Sequence, residues 1–289
     1  MKFGLAFASS IGTGQQSALE ISVKAEAAGF DSVWGGEHVI CPDDIESKYP
    51  YSADGSVPMD ADTDVPDPLI WLAYVGAAAP TLKLGTCILI VPQRNPLVLA
   101  KELATLDHLT GGRVELGIGV GWMREEFDAL GIPWERRGAR NDEYIAAMRA
   151  LWAGPHAEYH GEFVDFPKAT CAPRPVDGSI PILVGGDTPA AIRRAARIAD
   201  GYFPGTSDLE ELARLIEDVR KAAEQEGRDP DAIDIHCIFG AQMADPVGGA
   251  EQLAEMGVSR AMLPAFFFAG PDGMDRLEAF GETVVKPLA

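Results

Sequence analysis

The stretch Leu106-Asp107-His108-Leu109-Thr110-Gly111-Gly112-Arg113-Val114-Glu115-Leu116-Gly117-Ile118-Gly119 joins the end of a helical pattern to the start of a buried strand. The helical pattern covers residues 96–109, and the apolar run 113–118 follows after only three residues. A helix and a strand this close together are typical of proteins in which parallel strands alternate with helices. About eight such pairs occur along the chain, which favours a closed barrel, although an open doubly wound sheet gives the same alternation.

Candidate strands and helices alternate from one end of the chain to the other. The apolar runs that predict strands are 2–8, 32–35, 82–90, 113–118, 180–184, 201–204, 233–239 and 260–263. The amphipathic segments that predict helices are 16–28, 68–79, 96–109, 143–152, 189–199, 209–226, 248–256 and 273–284. No linker or internal repeat divides them, so we predict one α/β domain over residues 1–289, a (β/α)8 TIM barrel.

Two segments do not fit the alternation. Segment 41–67, after the second strand, carries several prolines, many acidic residues and the tyrosines Tyr49 and Tyr51, without a clear period. A loop that long inside a compact domain is usually functional, so we predict an active-site lid. Segment 158–177 contains three aromatic residues among prolines. It predicts an extra hairpin that covers one end of the barrel.

The composition argues against several classes of function. The chain has 44 acidic and 24 basic side chains and a formal net charge of −20. Such a surface repels phosphate backbones and anionic headgroups, so we expect neither nucleic-acid nor membrane binding. The four cysteines lie far apart without metal-ligand spacing, and the acidic loop matches no calcium-loop pattern. We therefore predict no metal site, reduced thiols and a cytoplasmic location.

A histidine with an acidic neighbour follows the second strand. Glu37 and His38 come just beyond residues 32–35, and barrel enzymes place catalysis at the carboxyl ends of their strands. A neutral histidine accepts or delivers a proton near neutral pH, and an adjacent carboxylate can orient it. A strand cap or a bond to a loop carbonyl is the alternative. The position favours catalysis.

Two glycine-rich segments follow later strands. Gly117-Ile118-Gly119-Val120-Gly121 resembles a dinucleotide fingerprint, but its third glycine comes one residue early. These glycines either let a flat ring approach the backbone or serve barrel packing, and the sequence leaves both open. Gly185-Gly186-Asp187-Thr188-Pro189 precedes a helix, where free N–H groups predict a phosphate site. Helix capping by Thr188 alone is the alternative, and Asp187 would have to point away from a phosphate.

Four stretches, taken together, resemble the luciferase-like monooxygenase superfamily in its coenzyme F420-dependent branch. They are residues 27–38, 96–113, 117–127 and 185–201, and the run Thr110-Gly111-Gly112-Arg113 before a glycine-rich strand is the most specific. The resemblance implies a bacterial-luciferase-like barrel with an insertion after the fifth strand, which holds Gly185, and often a homodimer.

The resemblance also implies roles for individual residues. His38 aligns with the catalytic acid–base histidine of the family, and Glu37 with its acidic neighbour. A cis peptide bond between Cys87 and Ile88 is expected against the deazaflavin ring. The residues predicted to bind the cofactor are Thr86, Cys87, Ile88, Gly119, Gly121, Trp122, Gly185, Gly186 and Thr188. Those predicted to line the substrate pocket are Trp34, Tyr49 and Tyr51.

One departure from the family pattern narrows the expected substrate. In the sugar-phosphate dehydrogenases of this branch, a glutamate that works with the histidine follows the glycine-rich strand. Here Trp122 stands at that place, and Glu125 and Glu126 come slightly later. The acidic lid offers Lys48 alone as a nearby cation, which suits a phosphorylated sugar poorly. We therefore expect an apolar or neutral carbonyl, enone or imine.

The predicted function is that of an oxidoreductase. We expect reversible hydride transfer between F420 and a small organic substrate held at the carboxyl-terminal face, with the protein positioning the two and excluding water. Two alternatives stay open: an FMN-dependent two-component flavin monooxygenase, and a protein that binds a flavin or deazaflavin without turnover.

Overall fold

A computed structural model describes residues 1–288 except 53, 58 and 61. The strands are β1 (Lys2–Ala6), β2 (Ser32–Gly35), β3 (Lys83–Thr86), β4 (Leu89–Ile90), β5 (Val114–Gly119), β6 (Ala157–His160), β7 (Asp165–Ala169), β8 (Ile182–Gly185), β9 (Gly201–Phe203), β10 (Asp234–Ile238) and β11 (Arg260–Pro264). The α-helices are α1 (Gln15–Ala27), α2 (Pro68–Gly76), α3 (Pro96–Thr110), α4 (Arg124–Ala129), α5 (Arg137–Ala153), α6 (Pro189–Ile198), α7 (Leu209–Gln225), α8 (Pro246–Glu255), α9 (Gly273–Phe280) and α10 (Lys286–Leu288). Across these residues, no helix combines the length and apolarity that a membrane crossing requires.

Eight parallel strands close into a barrel. Neighbouring strands pair in the order β3-β2-β1-β11-β10-β9-β8-β5, and β3 pairs again with β5 through Leu84 and Val114. The short strand β4 continues β3 after a break at Cys87 and Ile88, and it also pairs with β5. The closed ring excludes the open sheet that the alternation alone permits. The predicted (β/α)8 barrel is therefore confirmed.

The upper part of the barrel interior is an apolar layer. Ala6, Trp34, Cys87, Leu183, Phe203 and Met262 pack there against one another. The Trp34 indole fits because Gly85 has no side chain: a Cβ at Gly85 would lie 2.1 Å from Cε3 of Trp34. Trp34 is 0% exposed. Trp34, which the sequence predicts to line the substrate pocket, therefore belongs to the buried layer below the carboxyl-terminal face of the barrel and lines no open pocket.

The lower part of the interior holds a buried charge network. Arg260, at the start of β11, donates from Nε to Asp31 at 3.0 Å and from Nη1 to Glu115 at 2.5 Å. The same Nη1 lies 3.2 Å from Nε2 of His236, and the guanidinium faces the Trp34 ring at 5.5 Å. Burial and the positive charge of Arg260 hold the pKa of His236 well below its usual range. His236 is therefore neutral and structural.

The two irregular segments behave differently from each other. The described part of segment 41–67 contains no helix or strand, as expected for a long loop. Segment 158–177 supplies the expected hairpin, β6 and β7, which packs on α5 through Glu143, whose Oε1 accepts the N–H groups of Phe163 and Val164. The hairpin precedes β8, and only three residues separate Gly185 from the start of α6. The expectation of an insertion after the strand with Gly185 is therefore wrong, because the extra chain packs on the helix before it.

Gly117 is expected to tolerate no side chain. A Cβ there would lie 2.0 Å from the backbone carbonyl oxygen of Thr86, which cannot move without shifting β3. Overpacking of this kind costs about 1–3 kcal/mol, so Gly117→Ala should lower the free energy of unfolding by that amount in urea denaturation. Gly154→Ala is the control, since φ is 174° there and the nearest atom would lie 3.9 Å away. Equal stability of the two variants would contradict the packing.

Candidate active site

The carboxyl ends of the barrel strands bring most of the predicted site residues to one face. His38 follows β2, Ile88 follows β3, Trp122 follows β5, and Gly186 follows β8. All parallel strands of a barrel end at the same face, so these segments meet although they are far apart in sequence. We call this face the mouth.

His38 is held by a carboxylate from α4. Its Nδ1 lies 3.3 Å from Oε2 of Glu126, and the side chains are 17% and 2% exposed. The other carboxylate oxygen accepts the N–H of Val39 at 2.6 Å. Burial by itself raises the pKa of Glu126, but the hydrogen bonds from His38 and Val39 outweigh it and lower that pKa. With Nδ1–H assigned as the donor to an ionised Glu126, Nε2 of His38 is left to exchange a proton.

Glu37 points away from His38. Its Oε2 accepts the N–H of Ile90 at 2.5 Å, and its Oε1 accepts Nε of Arg94 at 2.8 Å. Arg94 also donates to Asp67 at 2.6 Å. Burial raises the pKa of Glu37, and Arg94 opposes that effect. Successive side chains leave an extended backbone on opposite sides, so Glu37 ties the end of β2 to the segment after β4 and does not orient His38.

The Cys87–Ile88 peptide bond is cis, as the family resemblance implies. Ile88 is half-buried and lies between the two glycine segments. A Cβ at Gly119 would lie 2.1 Å from Cδ1 of Ile88, and one at Gly185 would lie 3.2 Å from its Cγ2. Thr86 donates its hydroxyl to the carbonyl of Gly117 at 2.7 Å.

Gly121 completes the packing of β5. Its φ is 83°, and a Cβ there would lie 2.6 Å from the Phe127 ring. Together with the Ile88 contact at Gly119, this favours barrel packing, which the sequence left as one of two explanations for these glycines. Of the residues around the break in β3, Ile88 is the one that is partly exposed at the mouth.

The segment after β8 leads directly into the start of helix α6. Thr188 caps α6, because its hydroxyl accepts the N–H of Ala191 at 3.2 Å. The Asp187 carboxylate accepts the N–H of Gly205 at 2.8 Å and therefore points toward β9, away from the helix start. Gly186 has a φ of 108°, which favours glycine. The objection that Asp187 would compete with a phosphate is removed by this geometry.

The rings of Tyr51, Tyr49, Trp122 and His38 lie in a row, in that order. Trp122 lies 5.7 Å from His38, Tyr49 lies 5.3 Å from Trp122, and Tyr51 lies 5.5 Å from Tyr49, all edge to face. Tyr51 covers Gly205, where a Cβ would lie 2.2 Å from its ring. Its hydroxyl is 3.5 Å from the Cβ position of Gly186. Tyr51 thus lies over the predicted phosphate segment, whereas Tyr49 and Trp122 lie nearer to His38.

The short helix α4, which the sequence did not predict, holds the lid loop. Glu125 accepts the N–H groups of Glu46 at 2.9 Å and Ser47 at 3.0 Å. Burial by itself raises the pKa of Glu125, but the backbone and side-chain hydrogen bonds that it accepts lower it to about 2. The available signal was a pair of acidic residues, which favour the first turn of a helix.

Arg137, the first residue of α5, is a half-buried cation that contacts the segment after β5. Its guanidinium lies 3.5 Å from the Trp134 ring centroid and donates to the carbonyl of Gly121 at 3.2 Å. Among the described residues, no carboxylate lies within ion-pair distance of it. Arg194 of α6 donates to the carbonyl of Gly138 at 3.2 Å, so α5 begins beside α6. Arg137 therefore has N–H groups available for an anion on the α6 side of the mouth.

Residues 1–279 match the family model described as luciferase-like monooxygenase. The chain is 35% identical to an uncharacterised protein of Mycobacterium tuberculosis over 278 residues, which covers 93% of this chain and 95% of the relative. It is 34% identical over 227 residues to the F420-dependent glucose-6-phosphate dehydrogenase of Nakamurella multipartita, covering 76% of this chain and 62% of that one.

Similarity also extends to a flavin-dependent enzyme and to a solved fold. The FMNH(2)-dependent dimethylsulfone monooxygenase of Pseudomonas putida is 36% identical over 155 residues, covering 52% of this chain and 42% of that one. The coenzyme F420-dependent tetrahydromethanopterin reductase of Methanopyrus kandleri has a similar fold, with a TM-score of 0.78, 19% identity and coverage of 100% and 99%. The similar proteins thus include users of F420 and of FMN.

Proposed function

The chain belongs to the luciferase-like monooxygenase family, and on that premise we propose that it transfers a hydride between coenzyme F420 and a small organic substrate at the mouth. The observation that carries the proposal is the contact of His38 with the buried Glu126, 3.3 Å apart, at the end of β2. Hydride transfer to a carbonyl, imine or enone leaves an atom that needs a proton. A histidine with one nitrogen fixed and the other free is suited to supply it.

The residues at the mouth fit a flat ring system with an anionic side chain. Ile88 and Ile238 are half-buried on top of the apolar layer, and they offer an apolar surface for the ring. The N–H groups before α6, together with Arg137, offer donors for the anionic side chain. When bound, the deazaflavin supplies or accepts the hydride.

The predicted cofactor residues then divide into two groups by their exposure. Ile88, Trp122, Gly185, Gly186 and Thr188 are accessible enough to contact the cofactor. Thr86, Cys87 and Gly119 are buried and shape the backbone beneath it, and the half-buried Gly121 packs against Phe127.

The chain's own residues divide the remaining work. His38 holds or releases a proton at Nε2, and Glu126 fixes its orientation and stabilises its charged form. Glu37 is a positioning residue, because it anchors the strand end before His38 through Arg94. Trp122 and Tyr49 cover His38 and exclude water from it.

Fluorescence titration of the purified protein with F420 and with FMN tests the cofactor. We expect F420 to bind at least about tenfold more tightly than FMN. The reason is that the F420-dependent relative aligns with this chain over a greater length than the FMN-dependent relative does. Reduced F420 should then be oxidised in the presence of a neutral enone or ketone. Tight FMN binding without F420 binding would favour the FMN-dependent monooxygenase, which the similarity to the dimethylsulfone enzyme supports. Binding without any turnover would favour a carrier.

A further inference from the structure

We propose that the substrate is uncharged and has an apolar body, and that Phe7 and Phe266 hold this body beside His38. The proposal rests on the proposed function, because it assigns the substrate side of the same mouth. It names two residues that neither the motifs nor the similar proteins single out.

Phe7 and Phe266 form an aromatic wall between the ends of β1 and β11. Their ring centroids are 5.8 Å apart with an interplanar angle of 19°. Phe7 has a φ of 56°, which is uncommon for a bulky residue, and its N–H donates to Sγ of Cys87 at 3.3 Å. Phe266 is 56% exposed and its neighbour Phe267 is 40% exposed. Adjacent exposed phenylalanines on a highly charged protein mark a binding surface rather than an ordinary one.

The wall adjoins the segment that leads into His38. A Cβ at Gly36 would lie 3.4 Å from Cδ1 of Phe7, and Gly36 is two residues before His38. Trp122 contacts His38 edge to face, with the ring centroids 5.7 Å apart. A substrate that offers its polar atom to His38 therefore has its remaining surface against aromatic carbon.

The charges around the mouth disfavour ionic substrates of both signs. Segment 41–67, which supplies the lid, contains eight acidic residues and only Lys48 as a cation, and it repels anions. Beside His38 itself a cation finds no free carboxylate within the described part of the chain, because Glu37 is paired with Arg94, and Glu126 with His38. A charged substrate without a partner loses its hydration and gains no ion pair in return, so a neutral substrate binds best. Arg137, on the α6 side, is left for the cofactor.

The test uses N-phenyl-1-naphthylamine, a neutral fluorescent probe with an apolar body, with and without saturating F420. We expect it to bind in both cases, and Phe266→Ser to weaken its binding by about tenfold, because the variant removes an aromatic contact. Leu109→Ser is the matched control: Leu109 is 77% exposed on the outer surface of α3, and its loss should leave binding unchanged. Thermal unfolding followed by circular dichroism shows that both variants are folded.

Displacement of the probe compares how well a neutral compound, an anion and a cation bind at the wall. Benzyl alcohol should displace it at least about tenfold more effectively than benzoate or benzylammonium, since the charged compounds lose more hydration on binding. Equal displacement by all three compounds overturns the neutral-substrate proposal. So does unchanged probe binding in Phe266→Ser.

Two further outcomes overturn the assignment of the wall to substrate. If F420 displaces the probe completely, the wall belongs to the cofactor. If Phe266→Ser changes the molecular mass in analytical ultracentrifugation, the wall is an interface between copies of this chain. Failure of wild-type protein to bind F420 counts against the proposed function, whereas the probe measurements without F420 judge the wall by themselves.

Discussion

His38→Asn is expected to lower kcat by about 10²–10⁴-fold, the usual contribution of a positioned acid or base. His38 is 17% exposed, with Nδ1 on Glu126, so its loss removes the proton-transfer group without opening the apolar layer below. The affinity for F420 should stay within about twofold, because asparagine leaves the ring surface and the α6 segment unchanged. Stopped-flow measurement of F420 oxidation with a neutral enone gives kcat, and fluorescence titration gives the affinity.

The variant Glu126→Gln tests the role of Glu126 in orienting His38, while His38 itself stays available for proton transfer. The amide oxygen still accepts from Val39, so the loop remains attached, but the negative charge beside the imidazole is lost. We expect a smaller fall in kcat than in His38→Asn, because the imidazole is still present but has lost the ionised partner that orients it. An unchanged kcat in His38→Asn would remove His38 from the mechanism.

Arg260→Met is expected to lower the free energy of unfolding by about 3–5 kcal/mol, the usual cost of breaking a buried ion pair from one side. Arg260 is 3% exposed and contacts both Asp31 and Glu115, so the variant leaves two carboxylates inside the barrel without a cation. Methionine fills much of the same volume, so the loss reports charge more than packing. Urea denaturation of the two proteins measures it.

Arg214→Met serves as the matched control. Arg214 also contacts two carboxylates, Glu211 and Asp218, but it is 56% exposed on α7. Surface pairs of this kind contribute about 0–1 kcal/mol, so this variant should be close to wild type. If both arginine variants lost the same stability, the network under Trp34 would not be the buried one that the structure describes.

The sequence predicted the local features of the site well. His38 at a strand end, the cis bond between Cys87 and Ile88, and the Thr188 cap before α6 all depend on a few neighbouring residues or on a family motif. The strand positions follow from short apolar runs, which is why most of their ends agree with the structure within one or two residues. The break in β3 and the start of α5 at Arg137 were not predicted, since neither interrupts an apolar or amphipathic pattern.

By itself, the sequence determined the alternation of strands and helices, and its motifs identified the family and pointed to His38 as the candidate acid–base residue, because periodicity, capping and motif spacing act over short distances along the chain. Only the tertiary structure decided that Glu126, 88 residues from His38, is the carboxylate that orients it, and that Glu37 is bound to Arg94 instead. Only the closed barrel placed Tyr51 over Gly186 in the predicted phosphate segment and stacked Phe7 on Phe266 next to the segment that leads into His38. These pairings depend on how loops from different strands pack at one face, and neither residue of a pair carries a local signal of its partner.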